Sequence, residues 1–173
     1  LSGYLITSLL LAEHATTGAI DLLAFWVRRI RRLLPALLVL LGGVALFAVF
    51  VARPVDLDQI RGDALATLFY VANWHTILAG SSYWDLSLAP SPLQHTWSLA
   101  IEEQFYLVWP LVVVLLARRF GRRLDRAVGV LALGLAAASA ALFLALHHWG
   151  ASDTRVYEGT DTRAAALLLG VAW

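Results

Sequence analysis

The stretch HTWSLAIEEQFYLVWPLVVVLLA, residues 95–117, decides how this chain is interpreted. Its second half is apolar and uncharged, as in a helix within a lipid bilayer, whereas its first turns carry Glu102 and Glu103. A carboxylate at the centre of a bilayer costs roughly 2.5–3.5 kcal/mol on insertion scales, so acids in such segments are candidates for function. The stretch therefore predicts a membrane helix whose first turns carry functional acidic side chains.

Several polar residues of this helix share one face. Ser98, Glu102 and Tyr106 are four residues apart, and His95 lies close to the same stripe, whereas Glu103 points elsewhere. A histidine near a carboxylate can act as a general base on a hydroxyl group. The spacing thus favours a functional face, although a lone histidine in such a loop is more often structural.

An ordinary helix start is the alternative. Thr96 is a suitable N-cap, and acidic side chains are favoured near the positive end of the helix dipole. Glu102 and Glu103 would then face water at the membrane surface. The sequence leaves this alternative open.

The composition is that of a helical membrane protein. The chain has 173 residues, of which 60% are hydrophobic and 14% charged, and its mean hydropathy is +0.74. These values exclude an ordinary soluble domain and favour an all-α, multi-pass transmembrane bundle. The chain has no cysteine, which excludes disulfides and thiolate chemistry. It starts at Leu1 within an apolar run and ends within another, so we expect a fragment of a longer protein.

Apolar runs and arginine clusters set the expected topology. Residues 33–52, 97–117 and 127–146 are predicted spans, separated by the cationic stretches 25–35 and 118–126 and by a loop at 80–96. Residues 64–79 would reach only about 24 Å as a helix, which is short of a ~30 Å core, so they predict one re-entrant or interfacial helix. Most of the 13 basic residues, all arginines, then face the cytoplasm, as the positive-inside rule requires.

The first arginine cluster has two interpretations. Arg29 and Arg32 share a helix face, and guanidinium groups at a membrane surface can hold a phosphate-bearing ligand. Anchoring of the topology is the equal alternative. Near the end of the chain, Arg163 lies in the first turn of a predicted helix, which the helix dipole disfavours. It therefore needs a partner or a ligand, and Asp161 is the expected partner, with Thr160 or Asp161 as the cap of that helix.

No metal-ligand spacing, phosphate loop or nucleophile elbow occurs in the sequence, and nothing in it suggests a nucleic-acid partner. No metal and no tightly bound cofactor are predicted.

Four motifs together resemble the acyltransferase-3 family of bacterial integral-membrane O-acyltransferases. They are SGYLIT at 2–7, FWVRRIRRLLP at 25–35, SPLQHTWSLAIEEQFYLVWP at 91–110 and RVYEGTDTRAAALLLG at 155–170. They occur in the family's order and cover nearly the whole chain. The resemblance implies one membrane domain of about ten helices, of which residues 1–173 would be roughly half, without its first helix and its C-terminal half.

The resemblance also implies an activity, namely transfer of an acyl group, often acetyl, from acyl-CoA to a hydroxyl group. Acceptors in the family include cell-envelope and secreted polysaccharides, and the enzymes lie in the bacterial cytoplasmic membrane. Ser98, Glu102 and Tyr106 match the family's serine–glutamate–tyrosine motif and become the expected catalytic residues. Arg29 and Arg32 match its RxxR motif, which is thought to help bind acyl-CoA.

Asp161 and Arg163 match the GTDTR motif, and with His95 they complete the expected substrate-binding residues. The family's proposed catalytic histidine precedes SGYLIT, so we expect this fragment to be inactive alone and do not transfer that role to His95. A transporter or flippase-like protein, in which Glu102 and the arginines line a path for an anion or proton, is the alternative function. A structural membrane partner is a third possibility, and it predicts that Glu102, Arg29 and Arg32 tolerate substitution.

Overall fold

The computed structural model describes residues 1–80 and 91–172, and its regular elements are all helical. The helices and the two 3-10 turns are α1 Ser2–Thr17, α2 Leu22–Phe50, a 3-10 turn Pro54–Asp56, α3 Leu57–Leu68, α4 Ala72–Ala79, α5 Thr96–Phe120, a 3-10 turn Gly121–Arg123, α6 Leu124–His148, α7 Asp153–Glu158 and α8 Thr160–Val171. The all-α prediction is confirmed for these ranges. Most of the loop predicted at 80–96 lies outside them, at 81–90.

Two segments of the described residues are long and apolar enough to cross a membrane by length and composition, Leu22–Phe50 and Thr96–His148. The first is α2, and the second joins α5, a 3-10 turn and α6. Large apolar side chains along both segments remain exposed, among them Val39, Val49 and Leu115. Such surfaces fit lipid or further protein better than water, and the multi-pass bundle stays a prediction.

α2 is longer than the sequence suggested. Asp21 caps its start, where one carboxylate oxygen accepts the Ala24 N–H at 2.9 Å. The helix then runs through the cationic stretch 25–35, including Pro35, and on to Phe50. The cationic stretch and the expected span 33–52 are therefore one continuous helix, because leucine and arginine before the proline and leucine and alanine after it favour helix.

The segment 64–79 is interrupted. α3 ends at Leu68 and α4 starts at Ala72, and between them Tyr70 has a φ of 55°, in the left-handed region that non-glycine residues seldom adopt. The Tyr70 carbonyl, freed from the helix, accepts a hydrogen bond from Gln104 Nε2 at 2.8 Å. The prediction of one helix over 64–79 is therefore wrong. The break is stabilised by Gln104, which is distant in sequence, and no glycine or proline at 64–79 signals it.

Two predicted helix starts are displaced by one residue. α5 has His95 as its N-cap, and Thr96 is already helical. α8 has Gly159 as its N-cap, so neither Thr160 nor Asp161 caps it. In both cases the residue at the N-cap position makes no capping hydrogen bond through a side chain, whereas capping preferences favoured a threonine or an aspartate at this position.

Side-chain hydrogen bonds fix the register of the helices around α5. They place α1 parallel to α5 and α2 antiparallel to it. The pairs are Ser2–Glu102 and Thr7–Trp109 for α1, and Trp26–Tyr106 (through the Tyr106 carbonyl) and Arg29–Glu103 for α2. α1 also approaches α8 closely at Gly3, where a Cβ would collide with the carbonyl oxygen of Leu167. This register brings the arginines of α2 to the level of the glutamates of α5.

Candidate functional site

Glu102 accepts two hydroxyl hydrogen bonds. Ser2 Oγ donates to one carboxylate oxygen at 3.2 Å, and Tyr106 Oη donates to the other at 3.3 Å. The side chain is partly buried between α1 and α5. Glu102 is therefore not a water-facing helix-start residue, and it lies on the face shared with Tyr106, as the four-residue spacing predicted.

Glu103 has a different partner. Its carboxylate receives a fork of hydrogen bonds from Arg29, with Nη2 at 2.8 Å from one oxygen and Nε at 3.1 Å from the other. The two side chains are only 20% and 11% exposed, so this ion pair is largely shielded from solvent. It was not predicted, although an arginine and an acid in apolar segments each need a partner.

Tyr106 joins the two pairs into one cluster. The residue is 4% exposed, its hydroxyl donates to Glu102, and the guanidinium of Arg29 lies over its ring face, 3.3 Å from the centroid. A cation over a desolvated aromatic ring is attracted by the ring quadrupole. Ser2, Arg29, Glu102, Glu103 and Tyr106 are called the carboxylate cluster below.

Ser98 and His95 lie outside this cluster. Ser98 is exposed, and its hydroxyl donates to the His95 backbone carbonyl at 3.3 Å. His95 is also exposed and caps α5. The place beside the Glu102 carboxylate that the sequence assigned to Ser98 is occupied by Ser2 from the SGYLIT segment. The catalytic role of Ser98 stays a prediction.

Cavities lie on both sides of Arg29. One, of ≈ 520 Å³, is a groove between α1 and α2, with the arginines 28, 29 and 32 along one wall and Ile6, Leu9 and Leu10 opposite. The other, of ≈ 550 Å³, is mostly apolar and is bounded by Trp26, Tyr70, Glu103 and Tyr106 among others. Arg32 is exposed at the groove, whereas Arg29 is held by Glu103. The RxxR pair and the carboxylate cluster thus form one continuous region.

The predicted pairing of Asp161 with Arg163 is wrong. Asp161 instead receives a double hydrogen bond from Arg155, with Nη1 at 2.9 Å. Arg163 donates from Nε to the Tyr157 carbonyl at 2.7 Å and stacks on the Tyr157 ring. Residues two apart on a helix do not face each other, so Asp161 pairs instead with Arg155, which precedes Gly159 in sequence.

Comparison with known proteins identifies the family. The sequence profile of the acyltransferase-3 family, described as an acyltransferase domain, matches residues 1–173. The chain belongs to the acyltransferase-3 family.

Curated relatives of this family are similar over nearly the whole chain. They include the putative peptidoglycan O-acetyltransferase YrhL of Bacillus subtilis, 45% identical over 99% of this chain. The peptidoglycan O-acetyltransferase OatA of Listeria monocytogenes is 44% identical over 99% of it, and the O-acetyltransferase OatA of Staphylococcus aureus is 45% identical over 98%. In each case the match spans 27% of the relative's length. No solved structure matches the chain.

The acyltransferase-3 segment YEGTDTR contributes to a buried polar network that sequence reasoning missed. The fully buried Asn73 donates from Nδ2 to the Glu158 carbonyl at 3.0 Å and to Thr160 Oγ1 at 2.9 Å. Gln104 donates to Asn73 Oδ1 at 3.0 Å and accepts from Thr160 at 2.6 Å. The network ties this segment to α5 at the residue next to Glu103. A polar Asn and Gln within apolar runs are the signal that could have revealed it.

Glu158 of the same segment is the most unusual acid in the described chain. Its side chain is fully buried, and neither carboxylate oxygen has a hydrogen-bond partner among the described residues. It lies in α7, outside the two apolar segments, and burial raises its pKa to about 7. An unpartnered buried carboxyl group costs stability whether it is neutral or charged.

No group of three or more metal-ligating His, Cys, Asp or Glu side chains occurs within 1–80 and 91–172. The oxygen-rich carboxylate cluster has its carboxylates satisfied by hydroxyl donors and by Arg29 instead.

Proposed function

We propose that the protein is a membrane O-acyltransferase that moves an acyl group, often acetyl, from acyl-CoA to a carbohydrate hydroxyl of the bacterial cell envelope. Family membership and the printed activities of the relatives, which are O-acetyltransferases named in two cases for peptidoglycan, support the reaction class and the acceptor class. The cytoplasmic membrane is the proposed location, with the lipid bilayer around the two apolar segments.

The observation that carries the proposal is the carboxylate cluster at the end of the arginine-lined groove. Arg29 contacts both Glu103 and the ring of Tyr106, and it also lines the ≈ 520 Å³ cavity. In this proposal a donor in the groove lies against Arg29, whose guanidinium covers the ring of Tyr106, and the Tyr106 hydroxyl donates to Glu102.

The two exposed arginines of the groove, Arg28 and Arg32, suit the donor's phosphates. Arg32 is exposed there, and Arg28 makes only a long contact of 3.8 Å with Glu13. Both can form charge-assisted hydrogen bonds to phosphate oxygens. The apolar wall opposite these arginines, formed by Ile6, Leu9 and Leu10, suits the pantetheine arm of the donor. Arg29 is held by Glu103 and acts in this proposal as a fixed wall of the site rather than as the main phosphate ligand.

The transfer step uses Glu102 as an orienting acid. The acceptor hydroxyl gives its proton to the histidine that the family places before SGYLIT, and its oxygen attacks the thioester carbonyl. The carbon–sulfur bond breaks, and the thiolate leaving group takes the proton back from the imidazolium. Glu102 orients that imidazole and stabilises its cationic form, while Ser2 and Tyr106 hold the carboxylate in place.

The experiment uses the full-length protein in proteoliposomes, with acetyl-CoA and a soluble peptidoglycan fragment. Free CoA is measured with a thiol reagent and acetylated glycan by mass spectrometry. Equal amounts of CoA and acetylated glycan are expected. Uptake of a labelled anion without CoA release would instead support the transporter alternative and contradict the proposal.

A further inference from the structure

A cation and two aromatic rings meet where α5, α7 and α8 come together. The guanidinium carbon of Arg163 lies 3.8 Å from the ring centroid of Tyr157 and 5.8 Å from that of Trp97. The two rings contact each other edge to face, with centroids 5.3 Å apart. These three residues are called the aromatic–arginine cluster below. It shares no residue with the carboxylate cluster.

Arg163 keeps most of its hydrogen-bonding capacity in this arrangement. Its Nε donates to the Tyr157 carbonyl, and its terminal amino groups donate to no described residue. Asp161, the nearest acid in sequence, is already paired with Arg155. A cation in the first turns of α8 is disfavoured by the helix dipole, and Arg163 has no acidic partner among the residues that the structure describes, which points to a ligand.

The cluster is accessible rather than part of the core. Tyr157 is 39% exposed, and Trp97 and Arg163 are half-buried. Exposed aromatic faces combine an apolar surface with little conformational entropy to lose on binding. A sugar ring offers a matching C–H face, and a guanidinium fork matches a carboxylate.

We propose that the aromatic–arginine cluster binds an acidic sugar of the glycan acceptor, with the sugar ring on the aromatic faces and its carboxylate on Arg163. This inference rests on the proposed function for the assignment of the acceptor. Trp97 lies five residues before Glu102 on α5, about 7.5 Å along the axis but toward α7 and α8. The cluster therefore holds a sugar unit other than the one whose hydroxyl reacts.

The test measures binding rather than turnover. Two fluorescent disaccharide probes are titrated into the detergent-solubilised full-length protein: one containing N-acetylmuramic acid, the other the same sugar with its carboxyl group reduced to an alcohol. The wild type is expected to bind the acidic probe about tenfold more tightly, which corresponds to about 1.4 kcal/mol. Arg163→Gln is expected to bind both probes equally, and Arg163→Lys to keep part of the preference.

One further variant separates the ring contacts from the charge, and a second is a control. Trp97→Ala is expected to weaken both probes by a similar factor, because it removes stacking and leaves the cation. Arg53→Gln is the control, since Arg53 is an exposed arginine paired with Asp56 elsewhere in the chain. It is expected to bind like the wild type, and elution as a single monodisperse peak confirms that each variant is folded.

Equal wild-type affinity for the two probes, or an unchanged preference in Arg163→Gln, would overturn this inference. The result is independent of the proposed reaction. A protein that shows the expected binding pattern but never releases CoA contradicts the proposed function alone. One that acetylates glycans without any dependence on Arg163 contradicts the acidic-sugar site alone.

Discussion

The Arg29–Glu103 ion pair gives the sharpest prediction about the carboxylate cluster. Replacing Glu103 by Gln keeps the shape of the side chain but leaves the guanidinium of Arg29 without a counter-charge. The two side chains are 20% and 11% exposed, so little water is available to replace the lost partner. We expect Glu103→Gln to lower the free energy of unfolding substantially.

The magnitude follows from the geometry. At the observed 2.8 Å, two unit charges attract by about 6 kcal/mol for an effective dielectric constant of about 20. The cost of desolvating both groups offsets part of this attraction, and breaking buried pairs typically costs roughly 3–5 kcal/mol. Because both side chains keep some exposure, we expect a loss of about 3 kcal/mol, at the lower end of that range.

The assay is unfolding of the full-length protein in mixed detergent micelles, followed by tryptophan fluorescence. Arg29→Met and the double variant Arg29→Met/Glu103→Gln complete a thermodynamic cycle. The double variant is expected to cost at least about 2 kcal/mol less than the sum of the single ones, because no charge is then left unpaired. Glu102→Gln is the matched control, since it loses only hydroxyl contacts and should cost about 1 kcal/mol.

Two results would refute this reasoning. One is a loss below about 0.5 kcal/mol for Glu103→Gln, which is typical of an exposed pair. The other is additivity of the two single substitutions, which would show that the side chains do not interact in the folded protein.

Three further predictions concern the surrounding structure. Gly3→Ala should destabilise the protein by about 2 kcal/mol or more, since the new methyl group meets backbone of α8 and α1 must shift. Asn73→Ala should cost a similar amount, because it leaves buried partners such as Gln104 unsatisfied. Burial raises the pKa of Glu158 from 4.5 to about 7, so this group destabilises the folded protein least below pH 4.5 and increasingly as the pH rises from 4.5 through 7. Between pH 4.5 and pH 8, the free energy of unfolding of the wild type should therefore fall by up to roughly 3 kcal/mol relative to that of Glu158→Gln.

Matched controls accompany these predictions. Gly42 has open space around it, so Gly42→Ala should be neutral or slightly stabilising, and equal losses at Gly3 and Gly42 would contradict the close helix contact. Gln59 is exposed, and Gln59→Ala should leave the free energy of unfolding within about 0.5 kcal/mol of the wild type. A pH dependence of Glu158→Gln that matches the wild type would show that burial does not raise the pKa of Glu158, and would contradict this prediction.

Local spacing was enough to predict part of the site. Glu102 and Tyr106 are one helical turn apart, so their contact follows from helix geometry. Apolar runs also predicted where α5 and α6 lie. The same spacing placed Ser98 on this face, but its hydroxyl donates to the His95 carbonyl, as hydroxyl groups in a first turn readily do, and its catalytic role stays a prediction.

Long-range partners could not be read from the sequence. Glu103 meets Arg29 and Glu102 meets Ser2 only because α1 and α2 pack against α5 in a particular register. The break at Tyr70 likewise depends on a side chain from α5. One error was avoidable, since Asp161 and Arg163 are two residues apart, a spacing at which helical side chains do not face each other.

The central claim is tested most directly by the rate of acetyl transfer in the full-length Glu102→Gln variant. This rate is normalised to the amount of folded enzyme and compared with that of the wild type. The carboxylate cluster as reaction site predicts a fall of about 100-fold or more, in the range of lost acid–base assistance, with insertion and folding retained. Transfer at the wild-type rate would contradict the assignment of Glu102 to the reaction.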